Sequence, residues 1–152
     1  MSTPRETLNG QRRPGFRPDL PPGGRRRRLT LTGRGRPVAA SRDFARAALA
    51  DWAWPGVDDV LLLVTELVTN AVLHGDGPLD LVLDADAHRL RVEVDDASPV
   101  LPIPREPHLP ARPGGHGLFV VARTCDRWGA VPRPWGKTVW AETDTRPPTA
   151  GS

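Results

Sequence analysis

Cysteine, lysine and long apolar runs are what this 152-residue chain has least of. Cys125 stands alone, so no internal disulfide can form and nothing points to an oxidising compartment. The longest apolar runs, Val60–Val64 and Leu118–Ala122, fall far short of the roughly 20 residues that a membrane span needs. The N-terminal region carries no apolar stretch of secretory type. These absences exclude a disulfide scaffold and a helical membrane protein, and they lead to the expectation of a soluble, cytoplasmic chain. Its length suits one domain of ordinary size with a core that needs no covalent staple.

What the chain does have is arginine. Lys137 is the sole lysine among 21 basic residues. The net charge of +3 hides a split: residues 1–36 sum to +8, residues 37–152 to −5. A basic head precedes an acidic body. Residues 1–28, rich in Arg, Pro and Gly, have little to bury and read as a disordered arm. The body then occupies 29–143, with a loose tail over 144–152.

Periodicity organises the body. Leu29–Thr32 alternates and predicts a short strand. A helix follows from Pro37, with Ala40, Phe44, Ala47 and Ala48 able to share a face, and it ends in Trp52–Gly56. A second helix is predicted from about Val57 to Leu73. Its stripe is Val60, Val64, Leu67, Val68, Ala71 and Val72. Two alternating strands around Asp86-Ala87-His88 predict an antiparallel hairpin with one buried face. Residues 97–114 hold six prolines and predict a long loop, of a kind that is commonly functional or disordered. A helix over about 117–126 and a closing hairpin, Trp128–Val131 with Lys137–Glu142, complete the order. Helices mixed with antiparallel strands predict an α+β fold of two layers, a sheet covered on one face by helices.

Four places could carry chemistry. Glu66, Asn70 and His74 recur at i, i+4, i+8 and form one line along the second helix. A carboxylate, an amide oxygen and an imidazole in a row suit a hydrated Mg²⁺ and a nearby proton, or simply a solvated face. Asp96 shares strand parity with Leu90, Val92 and Val94, so it closes a buried face and needs a donor there. A ligand amine such as that of adenine, a backbone amide or an arginine would each serve. Gly114-Gly115-His116-Gly117 opens the last helix, where backbone amides can meet phosphate or a loop can simply end. Gly136-Lys137-Thr138 brings a donor pair to the start of a strand, though taken alone it reads first as a hairpin turn. It is not a P-loop, because no GxxxxGK[ST] precedes a helix.

Together, in this order, these pieces resemble the GHKL (Bergerat-fold) ATPases. They are most similar to the small anti-sigma-factor serine kinases and related stand-alone ATP-binding regulators of actinobacteria. Glu66–His74 resembles the N box, Val92–Asp96 with Ala97-Ser98-Pro99 the adenine-binding strand and turn, Gly115–Leu118 the second glycine box, and Gly136–Trp140 the last box. The resemblance implies a two-layer α+β sandwich with a mixed, mostly antiparallel sheet. It implies ATP and Mg²⁺ as cofactors. Asn70 would coordinate the metal, and Glu66 would be the base for a protein serine hydroxyl. Asp96 would take the adenine amine, and Gly115 and Gly117 would present amides to phosphate beneath a lid at 99–114. Thr138 would orient the base or its water, and His74 would sit nearby.

Implied partners are an anti-sigma-factor antagonist as kinase substrate and a sigma factor. A homodimer is left open, since no seam is visible. The family aspartate is commonly followed by D-x-G-x-G glycines, and here Ser98 and Val100 take those places, which restricts the turn or crowds the nucleotide. That departure keeps a second reading in view, a non-catalytic module that uses nucleotide to shape a partner surface. A third, nucleic-acid binding by the arginine arm, is weaker, because no aromatic interleaves Arg25–Arg28. A sensor histidine kinase is not expected, since none of the four histidines precedes the N box.

Overall fold

The structure, a computed structural model, describes residues 25–101 and 124–145. The arm before Arg25, the loop from 102, the Gly114–Gly117 cluster, most of the helix at 117–126 and the tail from 146 lie outside those residues. Seven elements follow in order: β1 (Arg25–Thr30), α1 (Pro37–Asp51), α2 (Val57–His74), β2 (Pro78–Ala85), β3 (Arg89–Asp96), β4 (Arg127–Arg133) and β5 (Gly136–Asp144). The five strands form one sheet of order β1-β2-β3-β5-β4. Every pairing among them is antiparallel, where a partly mixed sheet was expected. Both helices pack on one face, so the two-layer α+β architecture is as the sequence predicts.

β1 starts at Arg25, four residues before the predicted strand, and ends at Thr30. The reason lies on its neighbour. In the β1–β2 register Arg26 faces Asp84 and Arg28 lies two rungs along. Arg26 Nη1 reaches Asp84 Oδ2 at 2.6 Å, and Arg28 Nη1 reaches Asp80 Oδ2 at 2.7 Å. Arg27 points to the other side, where it bonds Asp51 at 2.6 Å and stacks on Trp52 at the end of α1. A charge run that reads as solvated in one dimension is paired in three.

Pro37 opens α1, where its missing N–H costs nothing. The buried face of α1 is turned from the predicted one. Ser41, Ala45, Ala48 and Leu49 are buried, Phe44 is half-buried and Ala47 is exposed. Alanine reports helix phase weakly, and contact with α2 decides it. Asp58 and Asp59 occupy the first turn of α2, favourable for the helix dipole, and Gly75 caps its end. The α2 stripe is Val60, Leu63, Val64, Leu67, Val68 and Ala71; the predicted member Val72 is 42% exposed. These side chains meet Leu81, Leu83, Leu90, Val92 and Val139 from the sheet in one core.

The β2–β3 turn is as predicted, with Asp86 Oδ1 accepting from the amides of His88 and Arg89 at 2.8 Å. The expectation of one buried face is not met. Val82, Asp84, Arg91, Glu93, Trp140 and Glu142, on the face away from the helices, are all under 10% exposed. Register explains how polar groups tolerate this. Arg26, Asp84, Arg91, Glu142 and Arg127 stand opposite one another across all five strands, alternating in sign. Arg91 Nη1 meets Glu142 Oε2 at 3.0 Å, Arg127 Nε meets Glu142 Oε1 at 2.9 Å, and Arg91 lies 4.3 Å above the Trp140 ring. Opposite charges across strands are mutually supportive, and the guanidinium covers the indole.

Removing Arg91 takes away the cation that faces Glu93 and Glu142, both buried. Arg91→Ala should therefore destabilise the chain by about 3–5 kcal/mol, the range for breaking a buried pair. Arg28→Ala, at an exposed pair, should cost under about 1 kcal/mol. Urea unfolding of the two variants checks the contrast.

Candidate functional site

The site is built where the end of α2 meets the end of β3 and the start of β5. On α2, Glu66 and Asn70 are half-buried and His74 is exposed, all on one line beside the core stripe. Asn70 Nδ2 is buried and finds no hydrogen-bond partner among the described residues. Such a donor is costly to leave unpaired, so it points to an acceptor that binding supplies.

Helix α2 then turns at Gly75. The Gly75 amide donates to Ala71 O at 3.0 Å, and the amide of Ala97 donates back to Gly75 O at 3.0 Å. A Cβ on Gly75 would stand 2.6 Å from Asp96 Cγ and 2.7 Å from its Oδ2. The helix end and the carboxylate are therefore in direct contact, and only glycine leaves room. The parity expectation for Asp96 holds: it points to the helix side with Val92 and Val94 and is 2% exposed.

Its donor is the backbone amide of Ser98, at 2.9 Å from Oδ1, together with Lys137 Nζ, also at 2.9 Å from Oδ1. Of the three partners left open by the sequence, the amide is present and the arginine is replaced by a lysine. Lys137 Nζ also donates to Ser98 O at 3.2 Å, and Ser98 Oγ accepts from the Val100 amide at 3.1 Å. Ser98 is 3% exposed, so the residue that replaces a family glycine braces the turn from inside. Burial pushes the Asp96 carboxyl above its ordinary value, opposed by Lys137 and the Ser98 amide.

Thr138 is not brought to this site. Consecutive strand residues face opposite ways, and Lys137, not Thr138, stands opposite Asp96. Thr138 lies on the far face, where its hydroxyl donates to Asp95 Oδ1 at 2.6 Å and accepts from Arg133 Nε at 3.0 Å. The predicted role of Thr138 at the base is thus corrected by parity. Lys137 is the residue that sequence reasoning missed. The signal was available: Val139 and Ala141 are inward, so Lys137 is inward too. Gly136, which starts β5 at a positive φ of 153°, packs against the Asp96 carbonyl with no room for a side chain. Gly115 and Gly117 lie outside the described residues, so their distance from Asp96 is not defined.

A two-layer α+β domain with a long helix running onto a buried carboxylate of a central strand has the layout of a GHKL-type ATPase domain. Comparison with models of protein families makes the assignment, with residues 32–143 matching the histidine kinase-like ATPase domain. The chain belongs to that family, and an ATPase domain implies ATP binding. A comparison with curated proteins gives no match. No helix among the described residues is long and apolar enough to cross a membrane.

Burial raises the Asp95 carboxyl above 3.8, with Glu93 and Asp80 adding to the rise and the Thr138 hydrogen bond opposing it. A raised acid contributes stability that is full below 3.8 and is lost as pH rises through its folded value. Asp95→Asn, which keeps an acceptor for Thr138, should therefore gain stability relative to wild type between pH 3.5 and pH 7, measured by denaturant unfolding at both. Gly75→Ala pushes a methyl into Asp96 and should cost about 1–3 kcal/mol in the same assay.

Proposed function

We propose that the chain is an ATP·Mg²⁺-dependent regulator that phosphorylates a serine of a small anti-sigma-factor antagonist and binds a sigma factor. The observation that carries this reading is the α2 line. The Asn70 Nδ2 is buried and has no partner among the described residues, and a half-buried carboxylate, Glu66, lies one turn before it. An amide with an unpartnered buried donor fits a phosphate oxygen, and its own oxygen is of the kind Mg²⁺ prefers. Asn70 is thus the metal-holding residue and Asp96 the residue that meets the adenine amine. When bound, Mg·ATP supplies the transferable phosphoryl group and neutralises its charge.

The residues of this chain then have two tasks. Asn70 and Asp96 fix the two ends of the nucleotide relative to the helix. Glu66 takes the proton of the partner serine as the Oγ–P bond forms and the bond to the departing ADP oxygen breaks. Such a reaction depends mainly on positioning and charge neutralisation, so a short residue set is enough. His74 is next on the same line, close to the Gly75 turn, and is read as lining the site.

A second reading, a non-catalytic module that holds a partner in a nucleotide-dependent way, is favoured by one observation. Asp96 is closed by Lys137 and by a turn braced at Ser98. The arm reading is weakened, because Arg26, Arg27 and Arg28 are engaged with Asp84, Asp51 and Asp80.

Incubation with Mg·ATP and a candidate antagonist, followed by mass spectrometry for phosphoserine, separates the first two. Glu66→Ala should lower phosphorylation by about 10²–10⁴-fold, the usual scale for a general base, while nucleotide binding persists. Phosphorylation that is unchanged in Glu66→Ala overturns the assigned base. Partner capture without phosphorylation in wild type favours the module.

A further inference from the structure

Lys137 is the only lysine of the chain, and its ammonium is sealed inside it. The Lys137 and Asp96 side chains are 5% and 3% exposed. The two oxygens of Asp96 are not equivalent. Oδ2 abuts Gly75, where a Cβ would be only 2.7 Å away. Oδ1 carries both donors, Lys137 Nζ and the Ser98 amide. The Ser98 amide belongs to the backbone of the turn and cannot withdraw without unmaking it. Lys137 Nζ is at the end of a flexible four-carbon stem and can.

We propose that Lys137 is a tethered competitor for the base-recognition carboxylate, so that a 6-amino purine gains Asp96 only by displacing the ammonium from Oδ1. This rests on the reading above that Asp96 meets the base. An ammonium on a buried carboxylate makes a charge-assisted bond, stronger than the neutral amine of a base makes with the same oxygen. The exchange is therefore unfavourable in itself, and the remainder of the nucleotide must supply the difference. Lys137 then sets two properties of the site. It lowers affinity for ATP, and it cancels most of the advantage that an amino group would give over a purine that lacks one. Relief of this competition is also a route by which anything that draws Lys137 away would raise nucleotide affinity.

The test is calorimetric titration of the full chain with Mg·ATP and with Mg·purine riboside triphosphate, which lacks the 6-amino group. In wild type the two should bind within about threefold of each other, because the gain from the amine is offset by the loss of the ion pair. Lys137→Gln, which keeps a neutral donor, and Lys137→Thr should each tighten ATP binding by about 10–100-fold. Both should leave the amine-free analogue within about twofold, a contrast that a merely structural role of Lys137 would not produce. Asp96→Ala placed in the Lys137→Gln background should abolish the ATP preference that Lys137→Gln acquires.

ATP affinity that is unchanged or weaker in the Lys137 variants, together with an ATP preference that Asp96→Ala abolishes, overturns the competitor and leaves Asp96 as the base-binding residue. A wild-type preference for ATP above about a hundredfold does the same without any variant. No difference in ATP binding between Lys137→Gln and the Lys137→Gln/Asp96→Ala double variant, or no binding of either nucleotide by any of the proteins, overturns both readings.

Discussion

A carboxylate buried between a helix end and two strand ends is the constraint on which the described site depends. Asp96 is almost without solvent, so its charge must be answered inside the fold. Three elements answer it together. The α2 end contributes Gly75, whose bare Cα lets the carboxyl approach. The turn after β3 contributes the Ser98 amide, and β5 contributes the Lys137 ammonium. The amide of Ala97 donates to Gly75 O, tying the same turn to the helix through the backbone. Moving any one of these would leave a buried charge poorly paired, which costs more than the pair itself gains. The position of α2 over the sheet, and hence of Glu66 and Asn70, is coupled to this one carboxylate.

The opposite face of the sheet solves a different problem with similar means. Its polar side chains are buried as well, but the solution is spread over five strands. Alternating charges in one row, from Arg26 to Arg127, put each carboxylate beside a guanidinium. Arg91 bridges acid and aromatic, lying near Glu93 and Glu142 and over Trp140. The flat guanidinium serves this arrangement because it can pair at its edge and stack on its face at once, which an ammonium cannot. In this chain arginine forms the described lattice of the outward face, while the one lysine sits beside Asp96 at the candidate site.

Much of this was legible before the fold was known. The helix–helix–hairpin order, the β2–β3 turn and the inward parity of Asp96 follow from periodicity alone, because side-chain direction repeats every 2 or 3.6 residues. The line of Glu66, Asn70 and His74 follows for the same reason. The misplacements also have physical causes. Alanine and valine give little contrast, so the buried face of α1 is turned by about a residue from the predicted one, with Ala47 exposed, and the α2 stripe holds except at its last member, Val72. Thr138 was assigned by motif where parity favours Lys137, and the pairing of Asp95 with Thr138 and Asp96 with Lys137 decides between them.

By itself, then, the sequence determined most of the α2 stripe, the helix-side parity of β3, where the β2–β3 hairpin turns, and that a carboxylate near the end of a central strand needs a donor. These are local properties, carried by backbone geometry and hydrophobic periodicity over a few neighbouring positions. Only the tertiary structure decided what that donor is, and what becomes of the arginine run. Lys137 and Asp96 are separated by 41 positions, and Arg26 and Asp84 by 58, so neither pairing exists until the register of the sheet is set. Register is a property of two strands at once. A charge that looks free along the chain acquires its partner only when the second strand arrives.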